Sequence, residues 1–545
     1  MNASTRFQTQ NLGALPVITR YFEQLHLAET IDRLVPWEGD VPLGTLVEIL
    51  VANRLLQPKA LFRVGQWAQH AGLTDYHDLT PEQLNDDRLG RALERLVEHV
   101  PLIQAALVLQ AIEQFQLDVG QIHYDLSTVE LFGAYELEAA EGQTPPTPLP
   151  TYGRTKSGRK DLKQVQIGLN VTGDGGVPVG HLALDGNASE TTSHLENLNL
   201  LERTLPKGHL LYLADTKLDC PANLLAIAAR KGQFLCGGAF SPQLQARYLT
   251  LRPRLRPVAY SPKSQAHLPP KERDQYKAIE VSERLEGKVD GRTVRLRYRL
   301  IFVWSQAKAR QEASTRERHV AKIREQFEAV ERNLGKYSLT SSTAIVRRLE
   351  IAKGKYTEGS LFRYQLTEDC NGSFHLSWKI DPEALQEWQH LEGVYVLKTN
   401  LARRSHPLAK VLRTYKEQSQ VERRFHHLKG PLAVAPMFLK NPERIAGLLC
   451  ILVWALMVLA LMERQVRRNL KGKPLLGLYP ENRPCAAPTG PALIHCFNTL
   501  SVVIIKHQGV TTRRLAQLDA TQSRLLQLLD IPPTHLRTFK KRCGM

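Results

Sequence analysis

Three acidic side chains in this sequence occupy positions where an acid is costly. Asp125 lies in a short apolar strand pattern, Gln121 to Ser127, between Tyr124 and Leu126, and Asp215 stands where the apolar run Leu210–Ala214 ends. An ionised carboxylate in or beside a buried strand is stable only when it is paired or holds a cation. Glu422 lies further on, in a helical run from about Leu408 to Lys429 that stops at Gly430-Pro431. Within that run Tyr415, Gln418, Glu422 and Lys429 are spaced by 3, 4 and 7 residues. At about 100° per residue they share one helix face. A phenol, an amide, a carboxylate and an ammonium pointing the same way suit a metal and phosphate site. Glu417, Arg423 and Arg424 project elsewhere, toward a solvated or DNA-facing side. Two ions about 3.5–4 Å apart on such carboxylates suit in-line displacement at phosphorus. An all-oxygen donor set selects Mg²⁺, with Mn²⁺ able to substitute.

The elements that must position these acids follow from hydrophobic periodicity. Residues 12–117 read as successive amphipathic helices, one of them opened by Thr80-Pro81-Glu82 and continued by Leu89, Leu93 and Leu96. Strict alternation of Val165, Ile167, Leu169 and Val171 predicts a strand, and Gly173-Asp174-Gly175-Gly176 a turn into a partner strand over Val177–Leu184. Between the first two strands come a proline-rich excursion (Pro145, Pro146, Pro148, Pro150) and a basic loop, Arg154 to Lys163. Ala222–Lys231 reads as helix and Phe234–Phe240 as strand, giving a mixed α/β core. Residues 241–392 interrupt it with strand patterns at Thr293–Trp304, Leu361–Thr367 and Ser373–Ile380 and a long polar helix from Gln306 to about Leu334. Gly393–Asn400 then resumes a core strand.

Charge points to a polyanionic partner. The chain of 545 residues carries a net +18, unevenly distributed: net −6 over 1–120, −3 over 121–240, +11 over 241–340, −1 over 341–400 and +17 over 401–545. A polyanion therefore belongs along the middle and C-terminal blocks. Seven cysteines without a Cys-x-x-Cys pair argue against a disulfide framework or zinc ribbon and fit a reducing cytoplasm. The N-terminus lacks a signal-peptide pattern. Ile445–Met462 is an uncharged run of 18 residues, which just reaches the length of a membrane span. A helix buried on all sides is the favoured expectation, with no membrane partner.

The segments YDLS around Asp125, YLADTKLD around Asp215 and YKEQSQVERRFHHLK around Glu422 resemble the three catalytic blocks of bacterial insertion-sequence DDE transposases. The last block is similar to the signature Tyr-x2-Arg-x3-Glu-x6-Lys of the IS-four-like superfamily. Further similar segments, LNDDRLGRALERL among them, extend the resemblance over about residues 84–465. It implies an RNase H-like mixed-sheet core with a β-rich insertion, preceded by a helical N-terminal domain and followed by C-terminal helices. The implied boundaries are 1–118 (helical, end-binding or dimerisation), 119–240 (core with both aspartates), 241–392 (basic insertion), 393–470 (core with the Glu422 helix and the buried helix) and 471–545 (basic, helical).

By the same resemblance Asp125, Asp215 and Glu422 are the catalytic and metal-ligating residues for two Mg²⁺ ions, and Tyr415 and Lys429 contact phosphate. Gln418 stands where the signature has Arg. An amide can donate to phosphate but brings no charge, which shifts part of the strand-end grip to Arg423 or Arg413. The implied activity is metal-dependent 3′-end cleavage at terminal inverted repeats and strand transfer into target DNA, by a homodimer in a synaptic complex. A nuclease on the same fold and a catalytically lapsed DNA-binding protein are the alternatives. Trp304, Trp378 and Trp388 are candidates to stack on a flipped base, with packing the simpler role. His123 shares a strand face with Asp125 and could approach the metals, a satisfied core histidine being the favoured reading; His426 and His427 either line the site or pack the helix, and Ser127 and Thr128 fit a strand end that bonds locally.

Overall fold

The computed structural model describes residues 6–133, 135, 148–154, 158–434, 439–507 and 510–536. Pro145 and Pro146 of the proline-rich stretch, part of the basic loop after it, and Cys543 lie outside them. The chain divides into two compact units, one of residues 1–234, 288–294 and 416–545, the other of residues 235–287 and 295–415.

The first unit is built on a sheet of β2 (Gln121–Leu131), β3 (Lys163–Thr172), β4 (Pro178–Asp185) and β5 (Leu211–Ala214), in the order β4-β3-β2-β5. β3 is antiparallel to both β2 and β4, as the alternation and the Gly-Asp-Gly-Gly turn predict. β5 runs parallel to β2. One face of the sheet is covered by α8 (Glu190–Thr204), against which Tyr124 donates from its hydroxyl to Ser193 Oγ at 3.3 Å. Tyr212, Asn197, His194 and Asn170 complete a buried polar cluster there. The Tyr212 oxygen lies 3.0 Å from both Asn197 Nδ2 and His194 Nδ1, and the Asn170 and Asn197 amides bond each other.

The uncharged run lies inside α16 (Pro442–Leu470), and every residue from Ile445 to Met462 is buried. Asn441 caps the helix by accepting from the Glu443 and Arg444 amides, which fixes where the apolar segment begins. α16 packs against β4 and against α3 (Leu43–Leu56), α6 (Asp86–Leu96) and α7 (Val100–Phe115). Trp454 Nε1 donates to Gln104 Oε1 at 3.1 Å, and Arg444 pairs with Glu94 at 2.6 Å. Two helical segments, 86–115 and 442–470, are long and apolar enough to cross a bilayer by length and composition, and the apolar window of the second is wholly buried in protein.

Thr80-Pro81 opens a short 3₁₀ turn, Pro81–Leu84, closed by a Thr80/Gln83 capping box. The helix proper starts at Asp86, with Asn85 accepting from the Arg88 amide. The ends of the chain hold strands as well as helices. β1 (Arg6–Asn11) pairs with β13 (Ser501–His507), which pairs with β14 (Val510–Leu515). The segment 471–545, expected to be helical, therefore contributes a hairpin beside α17 (Gly490–Cys496) and α18 (Ala520–Leu528).

The second unit has strand order β6-β12-β9-β8-β7, formed by β6 (Gln233–Gly238), β12 (Val394–Thr399), β9 (Arg292–Ser305), β8 (Tyr276–Val289) and β7 (Arg256–Val258). Its second layer is α11 (Gln306–Arg332) and α12 (Ser342–Gly354) packed on the hairpin β10 (Phe362–Glu368) and β11 (Phe374–Ile380) around Phe327, Ile345, Leu349 and Phe362. The insertion is thus α/β rather than β-rich, because the 27 residues of α11 and the 13 of α12 supply one wall of that core.

Inside the first unit, the Arg424 guanidinium is 1% and the Glu463 carboxylate 0% exposed, and they pair at 2.8 Å. Leaving one charge without its partner in such a place costs about 3–5 kcal/mol. Glu463→Gln is expected to lower the unfolding free energy measured by urea titration by that amount, whereas Arg424→Met with Glu463→Leu costs less than the single change. A double variant no more stable than Glu463→Gln would contradict this.

Candidate functional site

Asp125 and Asp215 are brought to the same level by strand register. β2 and β5 pair in parallel as Gln121 with Leu211, Ile122 with Tyr212 and His123 with Leu213, a constant offset of 90 residues. The same offset of 90 residues separates Asp125, on β2, from Asp215, which directly follows β5. Register-matched residues on adjacent parallel strands, about 4.8 Å apart, point to the same face. That face is the one away from Tyr124 and Tyr212, hence away from α8. Both aspartates are partly exposed. Asp125 Oδ1 accepts from the Leu126 amide at 2.8 Å, and Asp215 Oδ1 caps a short turn by accepting from the Lys217 amide at 2.9 Å.

The helix expected over 408–429 is two helices. α14 (Leu408–Lys416) ends and α15 (Ser419–Lys429) begins, with Gln418 as the residue before its first turn. At the break, the amides of Gln420 and Val421 bond three residues back, to Glu417 and Gln418. Tyr415 and Arg413 consequently sit on α14 in the second unit, while Gln418, Glu422, Arg423 and Lys429 belong to the first. Tyr415 is not on one continuous helical face with Glu422. Its ring stacks on Tyr395 at 6.4 Å and 24°.

α15 covers the aspartate face of the sheet. Its inner side is Val421, Arg424, Phe425 and Leu428, and its outer side presents Glu422, Arg423, His426 and Lys429 to solvent. Arg424 is thus buried, contrary to the solvated placement expected of it. Its Nε and Nη2 donate to the carbonyls of Gly176 and Gly175 at 2.7 Å each, and its Nη1 lies 3.2 Å from His427 Nδ1. Those glycines have φ of +64° and +84°, the left-handed region in which a side chain is strained, so the turn presents its carbonyls inward. Arg464 holds the same turn through Asp174 at 2.6 Å.

The start of α15 is fastened to β2. Gln418 Nε2 donates to the Tyr124 carbonyl at 3.0 Å, which turns its Oε1 toward His123 Nδ1 at 2.9 Å. His123 Nδ1 therefore carries the proton, and Nε2 accepts from Gln121 Nε2 at 2.9 Å. His123 is fully buried, and desolvation depresses its pKa to about 4 against the opposing hydrogen bond from Gln418. It is the satisfied core histidine expected from sequence. Gln121 also donates to Glu417 at 3.3 Å, and Gln420 to the Gly173 carbonyl at 3.1 Å. The parts played by Gln121, Glu417 and Gln420 escaped sequence reading. Two glutamines and a glutamate carry no motif, and only their hydrogen bonds show what they face.

Asp125, Asp215 and Glu422 would offer oxygen donors only, the kind that suits Mg²⁺. Among the described residues no three His, Cys, Asp or Glu side chains stand close enough together to hold a metal ion, so Glu422 does not close on the aspartate pair in this arrangement.

Comparison with known proteins adds little to this geometry. A family model described as a domain of unknown function (DUF4277) matches residues 7–102. No curated protein matches the chain. Among solved structures, a piggyBac transposase synaptic complex with hairpin DNA, determined by cryo-EM, is similar at 8% identity over 98% of this chain and 87% of that one. Its TM-score is 0.37, a likeness too distant to bear on the site.

Four buried imidazoles, His123, His181, His194 and His427, are each held at about 4 by desolvation. Unfolded histidines bind a proton near pH 6.5, so between there and about 4 the unfolded chain binds more protons. Their contribution to stability is complete above pH 6.5 and is lost as pH falls through 4. The melting temperature is expected to drop steadily from pH 7 to 4.5, and less steeply for His181→Leu. An equal slope in the variant would contradict the assignment.

Proposed function

We propose that the chain is a DDE transposase of the IS-four-like kind, acting on the terminal inverted repeats of an insertion sequence by metal-dependent 3′-end cleavage and strand transfer. The observation that carries this is that Asp125, on β2, and Asp215, directly after the adjacent parallel strand β5, keep the 90-residue offset at which those strands pair, with α15, the helix that bears Glu422, packed on β2. The strand order β4-β3-β2-β5, with only β5 parallel to β2, supports an RNase H-like core. Residue types at Tyr415, Glu422 and Lys429 keep the family signature.

Asp125 and Asp215 would hold Mg²⁺, and Glu422, exposed on the first turn of α15, would complete the donor set. Bound metal supplies an activated oxygen nucleophile and charge neutralisation at phosphorus. Lys429, exposed on the Glu422 side of α15, and exposed Arg423 would contact backbone phosphate, with Arg413 and Tyr415 doing so from α14. Arginines exposed along β9 and α11 would add salt-sensitive, sequence-independent grip. DNA in the cytoplasm is the substrate and target, and a homodimer on paired ends is the working assembly.

The test is cleavage of DNA carrying the element's ends. With Mg²⁺ or Mn²⁺ the native chain is expected to nick at the 3′ ends and to join pre-cleaved ends to a target. Asp125→Ala and Asp215→Ala are each expected to lower cleavage by at least about 10³-fold while binding the same ends. Cleavage without joining would assign a nuclease. Binding with cleavage unaffected by either change would contradict this use of the aspartates, and binding without any cleavage would mark a DNA-binding protein whose chemistry has lapsed.

A further inference from the structure

Gln418 stands at the one position where the sequence departs from the signature arginine, yet the structure gives its amide two partners within the protein. Both are on β2, the strand that carries Asp125. Pairing between β2 and β5 ends at His123, and the Gln418 amide takes the next strand carbonyl, that of Tyr124. Its oxygen accepts from His123 Nδ1, on the same face as Asp125 and two residues before it. An arginine has no acceptor. It could keep the bond to the Tyr124 carbonyl but would place a cation against the Nδ1–H of a neutral, buried histidine. His123 and Gln418 are therefore a matched pair.

We infer that His123 and Gln418 act as positioning residues, a lock that sets the first turn of α15 on the strand of Asp125 and so fixes where Glu422, on the outer side of that turn, stands. On this assignment Gln418 does not read phosphate. The inference rests on the catalytic role proposed for Glu422 and adds to it what fastens the chain at the helix break. Glu417, held by Gln121, and Gln418, held by β2, are fastened where α14 ends, just before the turn that carries Glu422. One turn separates Gln418 from Glu422, so slack at the first is transmitted to the second. A misplacement of about 1 Å in a reacting constellation can cost about 100-fold in rate.

The experiment uses the full chain and DNA carrying the element's ends, reading end affinity and the single-turnover cleavage rate separately, together with hydrogen exchange of the α15 amides. Gln418→Ala and His123→Ala are each expected to cut the rate about 10–100-fold with end affinity changed less than about twofold. The double variant should be no slower than the slower single one, since both remove the same contact. His123→Asn should restore most of the rate, because the asparagine amide nitrogen occupies the place of Nδ1. Gln418→Arg should lose rate without gaining affinity.

Tighter end binding by Gln418→Arg, or weaker binding by Gln418→Ala at unchanged rate, would overturn the lock and make residue 418 a phosphate contact. Faster exchange in the first turn of α15 should accompany both alanine changes and be reversed by His123→Asn, while α16 stays protected. Unchanged exchange overturns the lock whatever the activity. If the native chain cleaves nothing, the transposase proposal fails alone, and the lock still stands or falls on the exchange.

Discussion

The architecture of the first unit turns on one buried ion pair. Arg424 and Glu463 meet where three elements converge: α15 with its exposed Glu422, α16 just past its uncharged run, and the glycine turn between β3 and β4. A buried pair is poor evidence of net stability, because desolvating two charges offsets most of their attraction. Its consequence here is register. The guanidinium faces two glycine carbonyls, a carboxylate and an imidazole, and Glu463 uses its other oxygen to accept from the Gly490 amide at 2.6 Å. Glu463 also lies 3.5 Å from Arg467, and its own carboxyl is held below the usual range by Arg424 and Arg467 despite burial. Shifting α15 by one residue would strand several of these groups at once.

That constraint explains how one helix serves two ends. Its C-terminal half is fixed by Arg424 to the core, and its first turn by Gln418 to β2. Glu422 lies between the two anchors, on the exposed side. The core helix in turn gathers the N-terminal helices: Arg464 donates to the Phe115 and Gln116 carbonyls as well as to Asp174. Residues 7–102, the stretch matched by a family model of unknown function, therefore share their packing with a helix more than 300 residues away in sequence.

Much of this was legible in the sequence wherever the signal was local. Alternation marked β3 and β4, the glycine run marked their turn, and 18 uncharged residues marked a helix that the protein buries completely. Asp125 and Asp215 stood out in the sequence by their apolar flanks, and their separation equals the constant 90-residue offset at which β2 and β5 pair. What was not legible depends on distant partners. Leu408–Lys429 contains neither glycine nor proline, and the break at Glu417-Gln418 falls where those two side chains bond to β2. Arg424 in a polar helix looks solvated until Glu463, at the edge of an apolar run, is seen to meet it. β1 has no partner near it in sequence and finds one in β13, almost 500 residues on.

The central claim is that Asp125, Asp215 and Glu422 serve one oxygen-donor metal site. Fe²⁺ substituted for Mg²⁺ and treated with ascorbate and peroxide generates radicals that cut the polypeptide only near the bound ion. With DNA ends present, the account predicts cuts close to residues 125, 215 and 422, abolished by excess Mg²⁺ and by Asp125→Ala. Cuts at 125 and 215 without 422 would remove Glu422 from the site, and a pattern centred elsewhere or insensitive to Mg²⁺ would contradict the claim.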